Sequence, residues 1–201
     1  MIAIIDYGAG NLRSVQKALE FLNFDAKITS DRNEILSADH VILPGVGAFG
    51  DCMREIKKRN LTDCIKEVCS RQIPFMGICL GLQLLFEESE ESPKTEGLGI
   101  FEGKIVKIPQ SEGLKIPHIG WNSLHITKES RLFSGISEGS FVYFVHSYYM
   151  MPEDKGIIAA ETEYGAALPI ALESGNVFAT QFHPEKSGET GLKILKNFGE
   201  V

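Results

Sequence analysis

The stretch "FMGICLGLQLLFEE", residues 75–88, decides how the rest of the chain is read. An apolar run climbs to Cys79, with Gly77 and Gly81 two residues to either side, and a leucine-rich segment follows. That pattern is a strand feeding a helix through a sharp turn. Two readings of Cys79 follow. One is a small buried residue at a strand end. The other is a nucleophile on a strained elbow, with glycines letting neighbouring chains come close. On the second reading the helix dipole and its free N–H groups favour a thiolate, and the Leu80 N–H faces a developing oxyanion. The pentapeptide "GICLG" alone leaves both open.

Working outward, the segments before the elbow alternate. "IAIID" (2–6), "DAKIT" (25–29), "HVILPG" (40–45) and "IPFMGIC" (73–79) read as strands. Between them Leu12, Val15, Leu19 and Leu22 recur at helical spacing, with Asn11 as the expected N-cap. Residues 51–70 read as two helices broken near Asn60, the second capped by Asn60 or Thr62, and "LGLQLLFEE" (80–88) as another. Strand–helix alternation predicts an α/β fold, flavodoxin-like and doubly wound, on a mostly parallel sheet. After "SEESPKTEGLG", a polar surface loop, β-like pieces run from "GKIVKI" to "NVFATQFHP". Gly156, Gly165 and Gly175 mark expected hairpin turns in an antiparallel extension of the sheet. The tail from Ser187 is expected to be a helix facing inward through Leu192, Ile194, Leu195 and Phe198.

The totals bound the function. With 201 residues, 43% hydrophobic and 23% charged, the chain suits one compact domain over 1–201. A net charge of −7 without a Lys/Arg block argues against nucleic acid and against an anionic membrane surface. No signal peptide is read at "MIAIIDYGAGN", and no apolar run reaches the roughly 18–20 residues that span a bilayer. A cytoplasmic protein is the expectation. Cys52, Cys64 and Cys69 form no CxxC pair and read as small helix residues; neither metal nor cofactor is expected.

Two further segments fall at predicted strand ends, where open α/β sheets carry their sites. "QFHPEKS" (181–187) offers a base. A thiol nucleophile needs one, and histidine suits that role near neutral pH. His183 and Glu185 are two apart, so in an extended segment they share a face, and Glu185 can fix the imidazole's tautomer and orientation. A lone His-x-Glu reads better as a solvated pair; beside an elbow cysteine that reading weakens. "PGVGAFG" (44–50) is a glycine-rich turn. It lacks the lysine of a phosphate loop and the glycine order of a dinucleotide loop, so an oxyanion or carboxylate site fits better. Gln83, four residues after Cys79, lies one helical turn from the nucleophile.

"PGVG…GICLGLQ…QFHPE" together resemble the class I, or triad, glutamine amidotransferases, in residue order and in the gap of about 100 residues from Cys79 to His183. "DYGAGNLRSV", "LPGVGAFGDCM", "PHIGWN" and "YFVHSYY" narrow the resemblance to the family of glutaminase subunits of imidazole glycerol phosphate synthase. The resemblance implies hydrolysis of glutamine to glutamate and ammonia by Cys79, His183 and Glu185. It implies an oxyanion hole from Leu80 N–H and the Gly45, Val46 and Gly47 backbone. Gly47, Gln83, Ser147 and Tyr148 match positions that hold glutamine. It implies a separate (β/α)₈-barrel cyclase, fed with ammonia for histidine biosynthesis, whose substrate completes the oxyanion hole. Asn11, His118, Trp121 and Asn122 would lie at or near that interface, although Trp121 also reads as a core residue of its strand. Three rivals stay open: a paralogue feeding another synthase such as a sugar-amidating one, a Cys-His hydrolase on a related fold, and a binding module.

Overall fold

Four apolar runs become the parallel heart of the molecule. The computed structural model describes residues 1–111 and 113–201. In chain order its first half holds β1 (Ile2–Ile5), α1 (Leu12–Phe21), β2 (Ala26–Thr29), α2 (Arg32–Leu36), β3 (His40–Gly45), α3 (Phe49–Lys58), α4 (Thr62–Ser70), β4 (Phe75–Cys79), α5 (Leu80–Gln83) and β5 (Phe86–Ser89). The second half holds β6 (Phe101–Lys107), β7 (His118–Ser123), β8 (His125–Ile126), β9 (Phe141–His146), β10 (Tyr148–Pro152), β11 (Ile158–Glu163), β12 (Ala167–Ser174), β13 (Val177–Thr180) and α6 (Gly188–Gly199).

The main sheet has the order β2-β1-β3-β4-β13-β12-β11-β8. Its first five strands run parallel, and β12, β11 and β8 continue it antiparallel, as the sequence pattern predicts. Strand alternation sorts the two faces. Ile2 and Ile4 of β1 pack with Val15 and Leu19 of α1 and with Ile194, Leu195 and Phe198 of α6. Ala3 and Ile5 pack on the other side with Met53, Ile56, Ile65 and Val68 of α3 and α4. Full burial of each such aliphatic side chain contributes about 1.5–3 kcal/mol, and both faces are covered, as a parallel sheet requires.

Several local expectations give way. The helix expected over 80–88 is one turn long. Leu82, Leu84, Leu85 and Phe86 are all fully buried, so no polar face remains for a surface helix. The chain instead opens at Leu84–Leu85, whose carbonyls accept from Leu98, Ile100 and Phe101, and becomes β5 beside β6. Not all later β pieces join the main sheet: β10, β6 and β5 form a second sheet, and β7 pairs with β9 as a two-stranded ribbon. Gly165 and Gly175 turn hairpins at positive φ, whereas Gly156 sits in a 3₁₀ turn between strands of different sheets. Asn11 occupies the N-cap of α1, but its Oδ1 takes the Ser14 hydroxyl instead of a backbone N–H. Neither Asn60 nor Thr62 caps α4; the cap position is Leu61, which has no side-chain oxygen to offer.

Candidate active site

β4 ends at Cys79 with φ 54° and ψ −110°. A left-handed φ is uncommon for a residue with a Cβ, and strain of this kind persists only where the surroundings over-determine it. They do so here. Gly45 of β3 pairs with Cys79, and a Cβ added at Gly81 would lie 1.9 Å from the Leu43 carbonyl oxygen. The turn therefore packs directly on its neighbouring strand, and glycine at 81 is a steric necessity. Leu80 N–H stands at the first position of α5, where no preceding carbonyl is available within the helix.

β13 runs beside β4 and delivers His183 to the same end of the sheet. Residues 184–186 form a 3₁₀ turn, so His183 and Glu185 meet around a corner rather than along an extended strand. Glu185 Oε1 lies 2.8 Å from His183 Nδ1, and both side chains are buried. With a carboxylate at Nδ1, that nitrogen carries a proton, and Nε2 is the position that can take one from, or return one to, a neighbour in the cleft. Nε2 is buried and has no hydrogen-bond partner among the described residues. Burial opposes a charge on His183, but the nearby Cys79 sulfur and the Glu185 carboxylate outweigh it and raise the imidazole above its ordinary value. The turn is strapped to the ribbon: His183 N–H donates to the Tyr143 carbonyl at 3.0 Å, and Ser187 Oγ accepts from Tyr143 N–H at 2.9 Å.

A cleft of about 370 Å³ opens over these groups, lined by Val46, Gly47, Cys79, Leu80, Gln83, Ser147, Tyr148 and His183. It thus gathers most residues expected at the site, with Gly45 at the adjoining strand end and Glu185 behind His183. Gly47 has φ 101° with open space around its Cα, and the Val46 carbonyl accepts from Cys52 Sγ at 3.5 Å. Tyr148 O takes Gln83 Nε2 at 3.2 Å and His146 Nδ1 at 2.9 Å, so both its lone pairs are used. Ser147 O accepts from Ile108 N–H. What these two residues have left for a ligand is their N–H groups and side chains.

The residues expected at a partner surface separate. Trp121 is 55% exposed, on the outer face of the β7–β9 ribbon beside Ile119, Phe141 and Val145. His118 is 3% exposed, stacked between Phe144 and Tyr164 under that face. Asn122 donates to His118 Nε2 and to the Glu163 carbonyl, and Asn11 is half-buried at the start of α1. The sequence reading passed over five cleft residues: Glu91, Pro117, Val145, His146 and Lys186. Glu91 lay in the acidic loop; its Oε2 accepts Phe49 N–H at 2.7 Å and so caps α3 from a distance. A larger hollow of about 770 Å³ lies by β8 and α6, but its Lys128 and Arg131 are already engaged by Glu173 and nearby carbonyls.

Among the described residues no helix is long and apolar enough to cross a membrane. Residues 3–200 match the model of the glutamine amidotransferase class-I family. The imidazole glycerol phosphate synthase subunit HisH of Caldanaerobacter subterraneus subsp. tengcongensis is 57% identical over the whole chain and 98% of its own length. HisH 1 of Methanococcus maripaludis is 50% identical over all of both chains. A solved glutamine amidotransferase structure superposes with a TM-score of 0.76 at 20% identity, covering 99% of this chain and all of the other, and so shares the fold. The chain belongs to the class-I glutamine amidotransferase family, among the HisH subunits of imidazole glycerol phosphate synthase.

Proposed function

We propose that residues 1–201 act as a single glutaminase domain, the ammonia-supplying subunit of imidazole glycerol phosphate synthase. The observation that carries the mechanism is an elbow cysteine facing a buried histidine whose Nδ1 is held by Glu185 and whose Nε2 is free. Cys79 gives its proton to His183 Nε2, and its sulfur adds to the glutamine side-chain carbonyl carbon. The carbonyl oxygen becomes an oxyanion held by Leu80 N–H and the Gly45–Gly47 backbone. The C–N bond then breaks as His183 returns its proton to the nitrogen, releasing ammonia and leaving a γ-glutamyl thioester. Water, deprotonated by His183, adds to the thioester; the C–S bond breaks, His183 returns the proton to the departing Cys79 sulfur, and glutamate leaves. Glu185 orients the imidazole and stabilises its charged form. Gln83 Nε2 is committed to protein acceptors, so its Oε1 is the group it offers glutamine. Glu91, a carboxylate in the cleft, suits the substrate's ammonium group.

Free ammonia would be protonated in water and lose its nucleophilicity. The exposed apolar face of Ile119, Trp121, Phe141 and Val145 supports docking of a separate (β/α)₈-barrel cyclase, since Val145 also lines the cleft. The full-length identity of 50–57% to HisH subunits favours a histidine-pathway subunit over a paralogue serving another synthase. In the assembled synthase, Cys79→Ala abolishes glutamine-dependent product formation and leaves ammonia-dependent formation near wild type. Loss of both, or of neither, counts against the reading.

A further inference from the structure

The sequence pattern assigns stabilisation of a Cys79 thiolate to the dipole of a helix that follows it. That helix is one turn long, too short to carry the dipole of a full helix. Another donor is within reach. Gln181 is fully buried, with its backbone N–H on the Ile170 carbonyl at 2.7 Å. Its Nε2 lies 3.7 Å from Cys79 Sγ.

The direction of that contact is fixed by a relay that starts at a backbone carbonyl. Tyr148 O can only accept, so the Gln83 group 3.2 Å from it is the amide nitrogen. The same nitrogen lies 3.0 Å from Gln181, so the Gln181 atom facing it is the carbonyl oxygen. The Gln181 –NH₂ is then left to face the sulfur. Flipping either amide would set two donors or two acceptors against each other in a buried site, where an unmade hydrogen bond is expensive. The titratable groups that face Cys79 are His183, from the turn after β13, and Tyr7, from the loop after β1, whose hydroxyl donates to the Pro44 carbonyl at 2.9 Å. Burial raises Tyr7 above its ordinary value, so it stays neutral.

We propose that Gln181, held in one amide orientation by Gln83 and the Tyr148 carbonyl, is a catalytic residue that donates an N–H to the Cys79 sulfur and favours the thiolate over the thiol. In the first step it shifts the proton from Cys79 Sγ toward His183 Nε2. When the C–S bond breaks in the second step, it stabilises the sulfur as leaving group. The proposal rests on Cys79 being the nucleophile.

The test is alkylation of Cys79 by iodoacetamide across pH 5–9, located by mass spectrometry, in the wild-type chain, Gln181→Met and Gln181→Glu. Met is similar in size and removes the donor. Glu retains an oxygen acceptor for Gln83 and, once ionised, turns an acceptor toward the sulfur. The proposal expects alkylation at neutral pH to slow about tenfold in Gln181→Met and further in Gln181→Glu, with both pH profiles displaced to higher pH. A role in packing alone lowers the melting temperature of either variant without displacing the profile of the folded fraction. Displacement in neither folded variant overturns the proposal; if only one variant folds, its profile decides. Wild-type Cys79 reacting no faster than Cys52, Cys64 or Cys69 overturns instead the nucleophile reading on which it rests.

Discussion

The two faces of the β7–β9 ribbon differ in what they hide: apolar side chains stand exposed on the outer one, while the inner one buries polar groups beside the core residues Val142 and Phe144. Outward it shows Ile119, Trp121, Phe141 and Val145, all exposed. Inward it buries His118 and His146, which pair across the ribbon with His118 Nδ1 3.0 Å from His146 Nε2. The inner face is a chain in which each proton has one place. Tyr148 O accepts from His146 Nδ1, which leaves His146 Nε2 to accept from His118 Nδ1, and His118 Nε2 to accept from Asn122. It ends on the carbonyl that also orients Gln83. The difference teaches that the ribbon's two sides are in different states: the inner side, with Val142 and Phe144 in the core beside the histidine pair, is finished within this chain, and the outer side leaves an apolar patch uncovered, the patch proposed above for the cyclase. Tyr143, opposite Trp121 on the same ribbon, holds the His183 N–H through its carbonyl, so the proposed docking face adjoins the turn that carries His183.

Breaking the inner face has the larger effect, and it depends on pH. Burial pushes both His118 and His146 down to about 4. Between that value and about 6.5 the unfolded chain binds protons that the buried pair excludes. Their contribution is therefore complete above about pH 6.5 and is lost as pH falls toward 4. One such histidine accounts for about 3 kcal/mol across that window. Denaturant unfolding at pH 7 and pH 4.5 is expected to show a smaller pH-dependent loss in His146→Gln than in the wild type. Equal losses would mean that the pair is not excluded from protonation by the fold.

Opening the outer face has the smaller effect, and it spares the fold. Trp121→Ala is expected to weaken binding of the cyclase subunit by about 2 kcal/mol, roughly thirtyfold, as loss of an aromatic anchor does. Stability of the isolated chain should change by less than about 0.5 kcal/mol, because the ring is more than half exposed. Titration calorimetry with the cyclase and a melting curve separate the two. Unchanged affinity, or a large stability loss, would return Trp121 to the core.

Legibility in the sequence followed the range of the interactions. The parallel strands were readable because each is a short apolar run with a turn after it. The proposed triad was readable because "GICLG" and "QFHPE" carry it in contiguous residues, and Glu185 needs to reach only two positions. The one-turn α5 was not readable: "LGLQLLFEE" has helical composition, and only the packing of β5 on β6 shows where the helix stops. Glu91 was hidden for a similar reason, since its partner is the N-terminus of α3, 42 residues away. Gln181 stood in a quoted motif, but its role depends on Gln83 and Tyr148, which no local pattern links to it. His118 and Trp121 alternate on one strand, and the pairing with β9 assigns each its face.

The most direct test of the account is mass spectrometry of the chain inactivated by a glutamine analogue with an electrophilic γ-carbon. The account predicts one adduct per chain, on Cys79, formed far more slowly in His183→Ala and prevented by excess glutamine. An adduct on Cys52, Cys64 or Cys69, or inactivation without modification of Cys79, would contradict it.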